Sequence, residues 1–173
     1  MKSYSQALKI LKKSKIFINN EYIKSSKSLN RVCVESIYSN ANYPSADNSS
    51  FDGFAINSEH TKNLSKKKSK LFKILGTIAA GNKPSSNKIK RFQTFEIMTG
   101  GLLPKGLDTI IPIEKIVFYP SKKKPKFIII DKKITKNNNV RFAGSDYKKG
   151  DKIISSGEII NSSHILAFKS LGI

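Results

Sequence analysis

Between Phe54 and Asp131 the chain is a train of short apolar runs cut apart by turn residues, and no other feature limits its fold so tightly. The runs are Phe54–Ile56, Leu71–Ile78, Thr94–Met98, Thr109–Ile113, Ile116–Tyr119 and Phe127–Asp131. Each is short and rich in Ile, Phe, Val or Thr, side chains that suit a pleated, half-buried surface, so each predicts a strand. Between them stand Gly81-Asn82-Lys83-Pro84, Gly100-Gly101, Pro104-Lys105-Gly106 and a lysine loop before Pro125, which turn the chain. Spacing this close favours a barrel or curled sheet over a βαβ stack. Neither a GxGxxG nor a P-loop follows any run, so nucleotide and dinucleotide folds lack support.

Outside this stretch the periodicity changes. Tyr4, Ala7, Leu8 and Leu11 recur at helical spacing behind a capping Ser3, which predicts a helix with one face meant for burial. Leu29–Ser39 reads as a short helical turn running into a strand, broken by Asn40–Pro44. After Asn137-Asn138-Asn139, the segments Lys152–Ser155 and Glu158–Ile160 predict a hairpin across Gly157. A last helix is expected to start at Ser162 or Ser163, to bury Ile165, Leu166 and Phe168 or Leu171, and to stop at Gly172. A helix stop beside the final residue, Ile173, is the pattern of a fragment.

Charge and cysteine content narrow the function classes. The 32 basic and 12 acidic residues leave +20 over 173 residues, which alone points to nucleic acid or an anionic surface. Yet only Arg31, Arg91 and Arg141 are arginine, the lysines are spread along the chain, and few aromatics interleave with them. A solvated surface accounts for that better than a nucleic-acid site, because phosphate and base readers favour arginine and stacking rings. Cys33 is the only cysteine, so an internal disulfide and a zinc cluster are excluded, and its neighbours Val32 and Val34 mark it as a small buried hydrophobe. No apolar run approaches the roughly 18 to 20 residues of a membrane span. The polar amino terminus carries no signal-like apolar region, so a cytoplasmic location is expected.

Three segments hold chemistry-bearing residues. In Asp47-Asn48-Ser49-Ser50-Phe51-Asp52-Gly53, two carboxylates, an amide and hydroxyls lead into an apolar strand. Spacing alone favours a turn whose Asp47 and Asn48 bond their own backbone, and the alternative is a site for a hydrated cation or polar ligand. In Met98-Thr99-Gly100-Gly101, the paired glycines permit close approach, with either free N–H groups that cradle an oxyanion or a plain β-turn. In Arg141-Phe142-Ala143-Gly144-Ser145-Asp146, a basic and an acidic residue flank a glycine, which suits a ligand or an internal ion pair. His60 and His164 have no triad or metal partner near them in sequence and read as structural.

Taken in order, Pro44, Asp47-Asn48-Ser49-x-x-Asp52-Gly53-Phe54-Ala55, Ile78-Ala79-Ala80-Gly81, Met98-Thr99-Gly100-x-x-x-Pro104-x-Gly106-x-Asp108, Glu114 and Asn139-Val140-Arg141-x-x-Gly144-x-Asp146-x-x-x-Gly150 resemble the amino-terminal region of the MoeA family. This family of molybdopterin molybdenumtransferases includes the scaffold gephyrin and a domain of its plant counterpart. The chain departs from the usual pattern at Ser50, Phe51, Phe54 and Ser145, while Asp52, Thr99 and Asp146 match it.

The resemblance implies a mainly β (α+β) fold of two lobes with curled and bifurcated sheets. Residues 1–45 and 141–173 would form an elongated outer lobe with terminal helices, and 46–140 an inserted barrel-like lobe. The molybdopterin-binding and C-terminal domains that follow in the family are absent from this chain. It implies insertion of molybdate into adenylylated molybdopterin with release of AMP, assisted by Mg²⁺, in a cytoplasmic homodimer whose pathway partner is a molybdopterin adenylyltransferase. Asp52, Thr99 and Asp146 would be catalytic, Asp52 also the metal ligand, and Asn48, Ser49, Gly100, Gly101 and Arg141 substrate-binding. Alone, a chain of this extent is expected to be inactive. The alternatives are a gephyrin-like scaffold without turnover and, further off, a lysine-rich nucleic-acid binder.

Overall fold

The apolar runs become one six-stranded sheet in the computed structural model, which describes residues 2–14, 18–83 and 88–173. Pro84, placed in a turn by its sequence context, lies outside the described residues. In chain order the elements are α1 (Tyr4–Lys13), β1 (Ile37–Tyr38), β2 (Asn48–Ser49), β3 (Gly53–Ile56), β4 (Lys70–Ile78), β5 (Gln93–Ile97), β6 (Thr109–Pro112), β7 (Val117–Tyr119), β8 (Phe127–Ile130), β9 (Val140–Arg141), β10 (Lys152–Ile154) and α2 (Ser162–Leu171). The chain divides into two compact units, Met1–Ile37 with Lys152–Ile173, and Tyr38–Asp151. The second unit reaches beyond the expected 46–140 because backbone bonds tie its flanks together. Ser39 N–H donates to Asp151 O and Tyr43 N–H to Tyr147 O, at 2.8 and 2.7 Å.

In the second unit the strand order is β6-β3-β5-β4-β8-β7. Every neighbouring pair is antiparallel except β4 and β5, which run parallel. Only β7 and β8 are consecutive antiparallel neighbours, the other antiparallel pairs joining strands that are not consecutive in the chain, and β6 and β7 are the two edges. All four residues of β3 are buried, so its side chains serve both faces at the strand period of two. Phe54 and Ile56 join Phe72, Ile111, Ile128 and Ile130 in one cluster. Ala55 joins Ile78, Phe95, Ile97, Leu107 and Ile110 in another. Each large side chain so buried contributes roughly 1.5–3 kcal/mol, enough to hold a short strand that has little intrinsic preference. Thr94 is fully buried but satisfied, its hydroxyl donating to Ala55 O at 2.7 Å.

The first unit corrects several expectations. α1 forms where expected, and Ser3 and Gln6 close a capping box at its start. None of its residues is buried, however, so its predicted apolar face remains exposed. Glu158–Ile160 does not pair with β10 as the arm of a hairpin. Ile159 instead bridges to Val32, with Cys33 N–H donating to Glu158 O and Ile160 N–H to Arg31 O, both at 2.8 Å. The Leu29–Ser39 segment turns at Leu29 and Asn30, bridges at Val32, bends at Val34 and Glu35 and then enters β1, so the expected turn into a strand is present but not helical, the 3₁₀ turn lying earlier, at Ser25–Lys27. This pairing gathers Cys33, Ile154, Ile160 and Phe168 into a small core.

α2 buries Ala167, Phe168 and Leu171, while Leu166 is 69% exposed. The buried stripe follows i, i+1 and i+4, and Leu166 falls beside it, facing water. The helix starts at Ser162, as expected, and Asn161 caps it: its side chain and that of His164 exchange bonds with each other's backbone N–H. Gly172 ends it in the left-handed region at φ 71°, where a residue without Cβ meets no strain.

Candidate functional site

The three chemistry-bearing segments converge in the second unit because the strand leading into β3 is sandwiched between two other loops. On one side β2 pairs with β9, setting Asn48 opposite Arg141 and Ser49 opposite Val140. On the other, Ser49 N–H donates to Gly101 O at 3.0 Å and Gly100 N–H to Ser49 O at 2.8 Å. Leu103 N–H donates to Asp47 O at 2.9 Å, so the 98–103 turn is stitched along the same strap. Asp47 does not close a local turn: its Oδ1 accepts from Ala143 N–H at 2.8 Å, anchoring the third segment from 96 positions away.

Asp52 and Thr99 meet directly. Oδ1 of Asp52 accepts from the Thr99 backbone N–H at 2.7 Å and from its hydroxyl at 2.8 Å. Both bonds favour the charged carboxylate, the backbone one most, and they hold Asp52 below the usual carboxylate range. Both residues are exposed, so the carboxylate is fixed in direction yet open to solvent. At its other end the residue is pinned as well, since Ile113 N–H donates to Asp52 O at 3.0 Å.

Asp146 pairs with Arg141 through Oδ2, and Ser145 Oγ lies 3.2 Å from its Oδ1. The Arg141 guanidinium also sits over the Tyr43 ring, 5.9 Å from its centroid. Arg141 and Asp146 thus form an exposed, oriented pair one ladder step from Asn48.

The remaining expected residues have less open geometry. Gly100 and Gly101 do not present free amides to an oxyanion: Gly100 N–H is bonded to Ser49 O, and Gly101 N–H to Met98 O at 2.8 Å. Gly101 serves close packing, for a Cβ there would stand 2.9 Å from the Ile97 side chain and from Met98 O, while Gly100 takes a left-handed φ of 77°. Ser49 is 1% exposed, and its hydroxyl donates to Phe51 O and accepts from Phe51 N–H, closing the turn before Asp52. Asn48 is 7% exposed, and its Oδ1 is buried without a partner. Among the described residues no group of three or more His, Cys, Asp and Glu side chains is placed to hold a metal. Asp52 could therefore hold a cation only as a lone carboxylate, with water and an incoming ligand completing the shell, an arrangement familiar for Mg²⁺.

Comparison with known proteins explains why these three segments occur together. A family model described as the MoeA N-terminal region, domain I and II, matches residues 2–172. The chain belongs to the MoeA N-terminal-region family. Among curated relatives, a molybdopterin molybdenumtransferase of Staphylococcus aureus is 30% identical over 146 residues, covering 84% of this chain and 33% of that protein. One from Haemophilus influenzae is 31% identical over 153 residues, covering 88% and 35%. The chain thus spans about a third of the length of these relatives. A crystal structure of the molybdopterin biosynthesis MoeA protein from Pyrococcus horikosii superimposes with a TM-score of 0.82 at 27% identity, covering 98% of this chain and 42% of that one.

Within this MoeA region, sequence reasoning misses two contributors. Tyr43 reads only as the entry to a loop, and Asp47 only as a local turn former. Their partners, Arg141 and Ala143, lie too far along the chain for any local pattern to announce them.

Proposed function

We propose that this chain is the amino-terminal part of a molybdopterin molybdenumtransferase, which inserts molybdate into adenylylated molybdopterin with release of AMP. The observation that carries the reading is the Asp52–Thr99 clamp, an exposed, ionised carboxylate aimed by two hydrogen bonds from a distant loop. One carboxylate oxygen is engaged, which leaves the other to hold a hydrated Mg²⁺ or its water; bound there, the cation would neutralise phosphate charge. Thr99 acts through Asp52, keeping it charged and pointed. Arg141 offers a cation to the anionic substrate, and Asp146 and Tyr43 restrict the angles at which it does so. Asn48, opposite Arg141 in the ladder, keeps its Oδ1 buried, which counts against a direct substrate contact at that atom. The excess of lysine would help draw in a polyanion. A homodimer, a molybdopterin adenylyltransferase as pathway partner and a cytoplasmic location belong to the same reading.

The test is a chimera in which this chain replaces the matching third of the Staphylococcus aureus relative, assayed for AMP release with molybdate and Mg²⁺. Release is expected, and Asp52→Asn should lower it by about tenfold or more at unchanged melting temperature, since an exposed carboxylate adds little to folding. Undiminished release from the Asp52→Asn chimera would refute the assignment. Loss of folding in that variant would make Asp52 a structural turn residue. A chimera that folds and binds protein partners without turnover would favour the scaffold alternative.

A further inference from the structure

At the β4–β8–β7 end of the six-stranded sheet, one face carries an apolar surface in register. β4, β8 and β7 are consecutive, and their pairing aligns Leu71, Ile129 and Val117 in one cross-strand row. The next row is Lys73, Phe127 and Tyr119. Alternation puts the intervening Phe72 and Ile128 at 0% exposure on the inner side, so both rows face outward. There Leu71 is 42% exposed, Val117 60% and Tyr119 48%, with Leu75 further along β4 at 39%. Scattered exposed aliphatics are ordinary, but a contiguous set on adjacent strands marks a contact surface.

Charge identifies the class of occupant. Lys73 lies within the face, and Lys122, Lys123, Lys124 and Lys126 in the loop joining β7 to β8, all of them exposed. A second copy docked through this same face is disfavoured, because Lys73 and the loop lysines of one copy would meet those of the other. A bilayer fits poorly, since Lys73 stands between Leu71 and Leu75 and would have to be desolvated along with them. A nucleic acid would find two rings to stack on, Phe127 and Tyr119, among aliphatic neighbours that cannot stack. We propose that this face docks an acidic protein segment in which apolar and carboxylate side chains alternate. The apolar side chains cover the Leu71–Ile129–Val117 row, and the carboxylates meet Lys73 and the loop lysines.

The probe is a fluorescein-labelled peptide alternating Glu with Leu and Phe, followed by anisotropy and by amide shift mapping on the 173-residue chain. Shifts should concentrate on β4, β7 and β8. Val117→Asp should weaken binding about tenfold or more, with the melting curve unchanged because the side chain is exposed, and the Glu→Lys peptide should not bind. Three results would overturn the proposal: no binding of the acidic peptide, binding that Val117→Asp leaves intact, or tighter binding to phosphatidylserine vesicles or oligouridylate than to the peptide.

Discussion

Gly53 stands between the Asp52 carboxylate and the most buried strand of the sheet, and replacing it by alanine tests whether the site depends on that strand's fit. A Cβ built on Gly53 would lie 2.1 Å from Ile111 O, 2.9 Å from Ile111 C and 3.0 Å from Pro112 Cα, all backbone atoms. Since ordinary contact begins near 3.4 Å, β3 and β6 would have to part by more than 1 Å at this point. No side chain can rotate away to relieve this. Opening the ladder where Gly53 faces Pro112 and Phe54 faces Ile111 costs about 1 kcal/mol per bond weakened, and displaced core packing adds about 1–3 kcal/mol. A total of about 3 kcal/mol should lower the melting temperature by about 10 °C in a domain of this size. Circular dichroism melts of Gly53→Ala measure it, with Gly106→Ala as control. Gly106 has φ 93° but nothing within 4 Å of where an added Cβ would stand, so it should lose only the roughly 1–2 kcal/mol of a left-handed alanine. If Gly53→Ala melts no lower than Gly106→Ala, the close approach does not govern this strand, and the argument from packing to site geometry fails.

Two further outcomes are expected. Thr99→Val removes the hydroxyl bond to Asp52 and keeps the stronger backbone one, so Asp52 should titrate higher than in the parent chain yet still low, with Thr99→Ser restoring it; side-chain carboxyl NMR showing no difference would disprove the clamp's electrostatic role. Burial first, and then Arg91, lower the His60 pKa against the opposing pull of Asp108 and Glu59. The unfolded chain therefore takes up this proton first as pH falls, and stability that is complete above about pH 6.5 is lost as pH drops through the depressed folded pKa. Urea midpoints at pH 7 and 5.5 should fall in the parent chain and less so in His60→Leu; an equal fall in both would contradict this. Asp52 and Glu59, whose folded pKa values are also lowered, withdraw their contributions only at more acidic pH, below the ordinary carboxylate range.

Local pattern carried the strands of the second unit because each is specified by residues next to one another: β-branched and aromatic runs for β3 to β8, with Gly, Pro and Asn between them. The same holds for α1, whose Ser3 cap stands directly before the helical run, and for the Gly172 stop of α2. Even the candidate site was legible as three segments, since the order of their residues identifies the family. What those segments do to one another was not legible. Whether the Gly100 and Gly101 amides were free depended on Ser49 and Met98, and whether Glu158–Ile160 paired with β10 or with Arg31–Cys33 depended on a strand more than a hundred residues earlier. Leu166 looks as apolar as Phe168 in sequence, and only the angle at which α2 meets its small core turns one outward and the other in. The division has one physical cause. Strand and helix preferences arise from a side chain's own sterics and its near neighbours, whereas a hydrogen-bond partner for Asp52 or Asp47 is chosen among all the donors that a folded backbone brings within 3 Å, and that choice exists only after the chain has closed on itself.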